Sequence, residues 1–501
     1  MNSFYLHAKK LVRRTLNFKM IILCCLLLSA TIATNAASWV VLNGDNSSTG
    51  SLRDIIGRAN DGDVITFGAS VKTVTLSGEI STNKMNLTID GGTGVTITRS
   101  TNTSYCRFLN FTATSGTVLL RGITFKNGNL DGKVYLDYDD FTHKLAASGD
   151  GGAVKADCNI MALNCTFADN ATLGNGGALW TSGAATLTNC DFTANTANIF
   201  HDEDIEGNGG AVYAQGNISM ANCRFSNNTA IGLTNNESYS DNEIGFDIRN
   251  LLIYYGGKGG AFQTNGVATL TDCTFTNNTA GDKGGGAYIV NNADLKNCTF
   301  SGNTSVNRGG GINAEKNVEL KGCSFINNKT GKLGGGGVWA QNGSANSTDC
   351  LFSGNETTGL SLTNEASYLA VNHGGGLSAN VGNLNNCIFS KNRAKGHGGG
   401  AYLKSDQANS ANSGLYNCTF DGNMSGDAGG GFQGFSNMNT PAGIIFNITK
   451  CIFTNNNSNA GGAIFSSVGL LRIEYCAFAY NQGKLSIVHS ESRSTVTNRG
   501  V

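Results

Sequence analysis

The feature that most constrains this chain is a unit repeated eleven times, in which a glycine pair is followed by Cys-x-Phe-x-x-Asn. The pairs begin at Gly151, Gly176, Gly209, Gly259, Gly285, Gly310, Gly336, Gly375, Gly399, Gly430 and Gly461. The cysteines that follow are Cys165, Cys190, Cys223, Cys273, Cys298, Cys323, Cys350, Cys387, Cys418, Cys451 and Cys476. Four of the steps between these cysteines are 25 residues long and none is shorter, so the longer steps read as the same unit carrying loops. A period of that length is the mark of a solenoid, in which each unit buries its apolar face only by stacking on the next.

The unit is predicted to be stranded. Segments such as ATLTNCDF and VELKGCSF are short and bounded by glycine or asparagine, and none sustains an apolar stripe of helical period. Strands and turns totalling about 25 residues make one coil, and coils stacked about 4.8 Å apart make a parallel β-helix. Equivalent positions then lie above one another. Cys190, Phe192 and Asn195 are expected to start ladders continued by Cys273, Phe275 and Asn278 and by Cys298, Phe300 and Asn303. The glycines and the asparagines are assigned to turns, the former for positive φ, the latter for local backbone bonding and tolerance of the left-handed region.

The pairing of GGA plus an apolar residue, as in GGAV at 151, GGAL at 176 and GGAI at 461, with FADN at 167, FTNN at 275 and FSGN at 300 resembles the repeat of the polymorphic outer-membrane protein family. In that family such repeats form surface-exposed bacterial adhesins, usually followed by an outer-membrane barrel; no barrel-length run of alternating strands follows the last repeat here. The stretch SLRDIIGRANDGDVITF at 51–67 is similar to the opening of many secreted right-handed β-helix proteins. Ser51 can cap a short helix there, with Leu52, Ile55, Ile56 and Ala59 on one face, and this helix would cover the open end of the first coil. The expected fold is all-β: a single right-handed parallel β-helix with a short N-terminal capping helix. Residues 1–36 are read as a secretory signal peptide, from Lys9, Lys10, Arg13 and Arg14, the apolar run MIILCCLLLSATIA and small residues after it. The expected boundaries beyond it are 37–62 for the cap, 63–150 for irregular first coils, 151–481 for the eleven-unit helix and 482–501 for a polar tail.

Thirteen cysteines remain after the signal, with no CxxC, so the spacing gives neither a zinc or iron–sulfur site nor a framework in which all could pair. They are read as small buried hydrophobes. Formal net charge is zero, from 35 basic and 35 acidic residues, which excludes an electrostatic footprint for nucleic acid. No integral membrane span is expected in the mature chain, because no second long apolar run follows the signal.

Function is therefore sought in loops. Long insertions follow Asn195, Asn228 and Asn355, joined by the segment from Asn129, and all leave the same turn, so stacking would carry them on one edge. Two others precede Cys418 and Cys451 and leave a different turn. The candidate binding residues are His201, Asp202, Glu203, Asp204 and Glu206 in one loop and Glu237, Asp241, Glu243 and Asp247 in the next. Calcium is the metal such oxygen ligands would suit, but no calcium loop motif is present, and no cofactor, metal site or catalytic residue is assigned. Tyr254, Tyr255 and Tyr368 offer stacking surfaces. The expected protein is a secreted or surface-exposed bacterial adhesin or binding scaffold whose partner is a host-cell, glycan or envelope surface component. The alternatives are a polysaccharide lyase or glycoside hydrolase of β-helix fold, recognisable by carboxylates converging with a Lys or Arg in one groove, and a structural stalk.

Overall fold

The computed structural model describes residues 36–130, 149–198, 207–235, 253–359, 373–405, 413–436, 445–467, 470–484, 488–490 and 495–499. The segment 1–35 of the expected signal lies outside them.

Each coil contributes three short faces, seen in the one that contains Cys190. Face 1 is Leu179–Thr181, which pairs in parallel with Val154–Ala156 before it and Val212–Ala214 after it. Face 2 is split into Ala185–Thr188 and Asp191–Thr193, each in register with the coils on either side. Face 3 is Thr196–Asn198, between Ala171–Leu173 and Thr229–Ala230. All three sheets are parallel, and pairing between coils takes the place of contacts between distant elements.

The corners explain the composition of the repeat. Asn189 and Ala194 have φ of 52° and 54°, single left-handed residues that bend the chain within face 2 and between faces 2 and 3. The same two positions are left-handed as Asn297 and Gly302, and as Asn417 and Gly422. Asn, Asp and Gly tolerate that conformation best, which is why they recur just before the cysteine and before the last asparagine. The third corner is the glycine turn. At Gly176, with φ of 68°, an added Cβ would lie 2.2 Å from the Leu179 carbonyl oxygen, so the chain doubles back there on face 1.

The turn glycine differs from the sequence assignment in six units, five with three consecutive glycines and one with four, 334–337. The left-handed turn residue is the one before the assigned pair, at Gly284, Gly309, Gly335, Gly374, Gly398 and Gly429, not Gly285 or its equivalents. The second residue after it stands where Ala178 stands, and at Gly286 a Cβ would be 2.7 Å from Cδ1 of Phe300, so the ring occupies the space of the missing methyl.

Inside, the phenylalanines form one column. Phe192, Phe225, Phe275, Phe300 and Phe325 are in register and buried, with successive ring centroids 4.4 to 5.2 Å apart and planes within 13°. The column runs on through Phe167 and Phe125 to Phe108 below the first counted repeat, and up to Phe478. Parallel offset rings are a favourable aromatic geometry, in addition to the burial itself.

The asparagine ending each unit does not serve as a turn residue, contrary to its assignment. Asn195, Asn278 and Asn303 are buried, and the left-handed residue is the one before each. Asn303 Nδ2 donates to the Phe275 carbonyl at 3.0 Å and to Asn328 Oδ1 at 2.9 Å, while its own Oδ1 accepts from N and Nδ2 of Asn278 at 3.0 and 2.9 Å. Every donor and acceptor of the amide is used, between coils rather than locally. The ladder begins at Asn170, whose Oδ1 accepts from the Gly128 amide, and reaches Asn481.

Cys190, Cys273 and Cys298 fill the inner angle of the split face 2, and all thirteen described cysteines are buried and unpaired by disulfides. The Cys190 thiol donates to the Thr188 and Ala162 carbonyls at 3.3 and 3.4 Å. Hydrogen bonding to the Cys165 and Cys223 thiols, with burial, holds it well above the ordinary thiol range. The shift alternates along the ladder, with Cys273 and Cys323 pushed down by bonds from neighbouring thiols, so protection rests on burial. Because all thirteen are buried, a thiol-specific reagent at neutral pH is expected to modify none of them in the native protein and all of them after denaturation; modification of two or more in the native state would contradict the packing.

Helix α1, Leu52–Arg58, closes the start of the solenoid. The Ser51 side chain accepts from the Asp54 amide, and Leu52, Ile55 and Ile56 are buried against the first coils. At the other end, the described parts of the expected tail behave as strands: Gln482–Gly483, Val488–Ser490 and Thr495–Arg499 pair with the preceding coil on faces 3, 1 and 2.

Candidate functional site

All nine acidic and histidine candidates, His201, Asp202, Glu203, Asp204, Glu206, Glu237, Asp241, Glu243 and Asp247, lie outside the described residues, as does Tyr368. Their anchors are described. The segments 131–148, 199–206, 236–252 and 360–372 each join the end of face 3 to the start of face 1, so all four leave one edge of the solenoid. The ends of 236–252 pair as an antiparallel ribbon, Gly232–Asn235 with Ile253–Gly256, the latter carrying Tyr254 and Tyr255. The segments 406–412 and 437–444 leave from the opposite edge of face 1, ahead of face 2.

The edge with four insertions borders the outer side of face 1. Inward residues there, such as Leu179 and Val212, belong to the core, and the residue between them on each strand points away from it. That outer column reads Tyr213, Gln263, Tyr288, Asn313, Trp339, Ser378, Tyr402, Gln433 and Phe465 on nine successive coils, each in register with the next. From Tyr213 to Phe465 a ring and an amide or hydroxyl side chain alternate, whereas below Tyr213 the next residue in register is a second ring, Trp180. From Tyr213 upward aromatics thus recur every second coil, about 9.6 Å apart at the spacing of parallel strands.

That packing has a consequence for hydrogen bonding. Gln263 Oε1, Asn313 Oδ1, Ser378 Oγ and Gln433 Oε1 are buried with no partner, whereas the amide nitrogens of Gln263 and Asn313 donate sideways to Asn265 and Glu315. A buried polar atom left unpaired costs about 1 to 3 kcal/mol. Four of them in one column is a concentration that core packing alone does not require.

Beside this column runs a second one, made by the residue before each turn glycine. Its carbonyl accepts from the turn glycine of the preceding coil, as from Gly209 to Lys258, Gly259 to Lys283 and Gly284 to Arg308. In the early coils the side chains here are Asp150, Asn175 and Asn208, linked by bonds from the Asn175 amide to Asp150 Oδ1 and from the Asn208 amide to Asn175 Oδ1. In the fourth, fifth and sixth units they are cations, and after them Gly334, His373 and His397 take the position. Lys258 Nζ and Lys283 Nζ each lie 6.0 Å from the Tyr288 ring centroid, and the Arg308 guanidinium lies 5.2 Å from that of Trp339. The aromatic column therefore braces a row of positive charges.

At the N-terminal end the same columns hold a mixed cluster. Arg107 is buried and pairs with Glu79 at 3.0 Å, and Asn110 Nδ2 donates to Glu79 Oε1 at 2.8 Å. Lys155 pairs with Asp157 at 3.1 Å and lies over the Trp180 ring at 5.2 Å. Asp150 sits on the coil of Lys155, and burial raises its carboxyl above the usual range, opposed by bonds from Asn175 and by the charges of Arg107 and Lys155. Glu79 and Asp157 are thus occupied as ion-pair partners, leaving Asp150 as the perturbed acid.

Toward the other end the columns bring His373 parallel to Tyr402, with centroids 4.0 Å apart, and against His397 at 5.2 Å. Nδ1 of both histidines is buried without a partner. Burial, aided by the charges of His397 and Lys404, holds the His373 imidazole down to about 3. The unfolded imidazole titrates near 6.5, so below that pH the unfolded chain takes up a proton that the folded chain refuses. Stability due to His373 is thus present above about pH 6.5 and falls with acidification, by ~2 kcal/mol at pH 5. Urea unfolding at pH 7.5 and pH 5 is expected to show this loss in the native sequence and a much smaller one in His373→Asn; equal losses would exclude the assignment.

With this geometry in place, residues 212–374 match the family described as right handed beta helix region. The chain is a right-handed parallel β-helix. The matched span covers the coils from Val212 of face 1 to Gly374, and includes the whole row of cations. No curated protein matches the chain. Among the described residues no group of three or more His, Cys, Asp and Glu is placed to hold a metal ion, and no helix is long and apolar enough to cross a membrane.

Proposed function

We propose that this β-helix is a secreted or surface-displayed binding scaffold, an adhesin that meets its partner along the edge where faces 3 and 1 join. The observation that carries this reading is the placement of insertions: four of them spring from that single edge, beside an outer column of rings, amides and cations, on a backbone that repeats rigidly underneath. Loops displayed on a rigid frame are where recognition residues gather. The partner is a host-cell, glycan or envelope surface component, with no cofactor required. The test is adhesion of the purified protein to cultured epithelial cells and to mucin, with the native chain and a form in which 236–252 is replaced by a short Gly-Ser linker. Loss of adhesion in the second form supports the reading; no adhesion in either form favours a structural stalk.

Polysaccharide cleavage is the second reading, and the Glu79, Arg107, Asp150, Lys155 and Trp180 cluster is what favours it. A carboxyl raised by burial beside two cations and an indole is a plausible general acid for a glycosidic bond. Release of reducing or unsaturated sugar ends from acidic polysaccharides, abolished in Asp150→Asn, would establish it; no release from any substrate leaves the cluster as a structural clasp for the first coils.

A further inference from the structure

We propose that two copies of this chain pair side by side through the outer surface of face 2, along the column Leu351, Ile388, Thr419, Ile452 and Ala477 of the last five units. The pairing is independent of what the loops bind. Face 2 lies across the coil from the edge where faces 3 and 1 join, so that edge stays open on both copies.

A change of chemistry along one column is the first argument. The residue just before each column phenylalanine points outward, and in the middle coils it is Thr274, Thr299 and Ser324. From Leu351 onward, in unbroken register, it is apolar in four units of five, and Ile388 and Ile452 are 47 and 45 % exposed. The inner neighbours are the same stacked phenylalanines in both halves, so the fold does not require the change. The left-handed corner two residues earlier follows suit: it is Asn, Asp or Gly up to Asn417, then Lys450 and Tyr475, the last 64 % exposed. A contiguous apolar strip facing water marks a contact surface.

Repeat and charge identify the occupant as a second copy. The strip repeats with each coil, about every 4.8 Å, and another copy carries that repeat at the same positions. Suppose the two solenoids run antiparallel about Thr419: each flanking column then meets itself in reverse order, and Asp421 meets Asp421. In the parallel arrangement equal coils meet and the flanking columns exchange, so that the corner column of Asn417, Lys450 and Tyr475 meets the column of Asp421, Thr454 and Ala479. Asn417 then faces Asp421 and Tyr475 faces Ala479, while Lys450, held over the Tyr416 ring at 5.4 Å, comes within one coil of Asp421. Donors meet acceptors, apolar groups meet apolar groups, and no like charges coincide.

Area sets the strength. The strip covers four steps of about 4.8 Å by about six residues of about 3.3 Å, roughly 20 by 20 Å, so each copy buries about 400 Å². That is about half the area a partner contributes to a standard interface, and the dimer is accordingly weak and concentration-dependent. The twofold is isologous, so assembly closes at two copies.

The test is sedimentation velocity of the full chain between about 1 and 100 µM, which is expected to show monomer giving way to dimer and to nothing larger. Ile388→Asp with Ile452→Asp is expected to raise the dimer dissociation constant about tenfold or more. The same change in the polar part of the column, Thr274→Asp with Thr299→Asp, is expected to leave it unaltered. Asp421→Lys should weaken pairing several-fold, and Asp421→Lys with Lys450→Asp should regain most of that loss, because the two side chains lie on opposite flanks of the strip within one copy and approach each other only between copies. Asp421 also accepts from Thr454 and Asn455 of its own chain at 2.7 and 2.8 Å, and the melting temperature of each variant reports that loss separately. A native chain that stays monomeric at every concentration assigns the strip to a different partner and overturns the proposal. So does a dimer indifferent to Ile388→Asp with Ile452→Asp, growth beyond two copies, or a charge exchange without recovery.

Discussion

Asn303→Leu is expected to lower the unfolding free energy by about 4 kcal/mol, although the two side chains are nearly the same size. The leucine would fit. What it removes is the connection between coils: the Phe275 carbonyl loses its donor from Asn303, and the backbone and side-chain amides of Asn278 lose the oxygen they share. Each buried group left unpaired costs about 1 to 3 kcal/mol, and water cannot reach them at a position with no exposure. Asn303→Asp should be worse, because it places an acceptor-only oxygen opposite the Phe275 carbonyl and Asn328 Oδ1. Asn481→Leu should cost less, since that residue ends the described ladder and is 8 % exposed. Guanidinium unfolding of the three variants checks the order. A loss under about 1 kcal/mol in Asn303→Leu would mean that the ladder is incidental to stability.

This ladder marks where sequence and structure part. The period, the strands and the phenylalanine column are legible because a parallel β-helix forces chemically equal residues onto one another, so the fold writes its own repeat. The role of the asparagine is not legible. In FTNN the sequence offers two adjacent asparagines, and the left-handed preference belongs to Asn277, while Asn278 points inward to a ladder whose partners, Asn228 and Asn303, lie one coil away on either side. Propensity identifies the kind of residue a corner needs, but inter-coil hydrogen bonding decides which of the two takes the corner. The triple glycines mislead for a similar reason: three identical letters give no sign of which one turns until the interval to the cysteine is compared with that in GGAL.

The candidate site was hidden by the same loops that drew attention to themselves. Tyr213, Tyr288, Trp339 and Tyr402 are separated in sequence by unequal stretches, because insertions of different length intervene, and their alternation with Gln263, Asn313 and Ser378 emerges only when coils are counted instead of residues. Lys258, Lys283 and Arg308 likewise look scattered in a chain of zero net charge. A searchable signal did exist: the residue before each turn glycine, read down the repeat, changes from Asp and Asn to Lys and Arg at the fourth unit.

Phe300→Ala is expected to cost about 3 to 5 kcal/mol, and its effect should be local before it is global. Phe300 is fully buried and stacks on Phe275 at 4.4 Å and Phe325 at 5.2 Å, so truncation opens a cavity with no nearby atoms to fill it. Gly286, whose missing methyl leaves space for this ring, makes the gap larger, since nothing on face 1 can move in from that side. In a solenoid each coil answers only to its neighbours, so a weakened coil divides the stack into two shorter ones instead of loosening it evenly. Amide hydrogen exchange should therefore accelerate most between about Phe275 and Phe325, with protection near Phe167 and Phe420 little changed at low denaturant. The same substitution at Phe478, which is only partly buried and has a ring on one side, should be far milder. Uniform loss of protection along the whole chain would show that the column acts as a single cooperative core. Loss confined to the central coils would show a stack held together pair by pair, in which the cation row on face 1 can loosen without the end coils that bracket it.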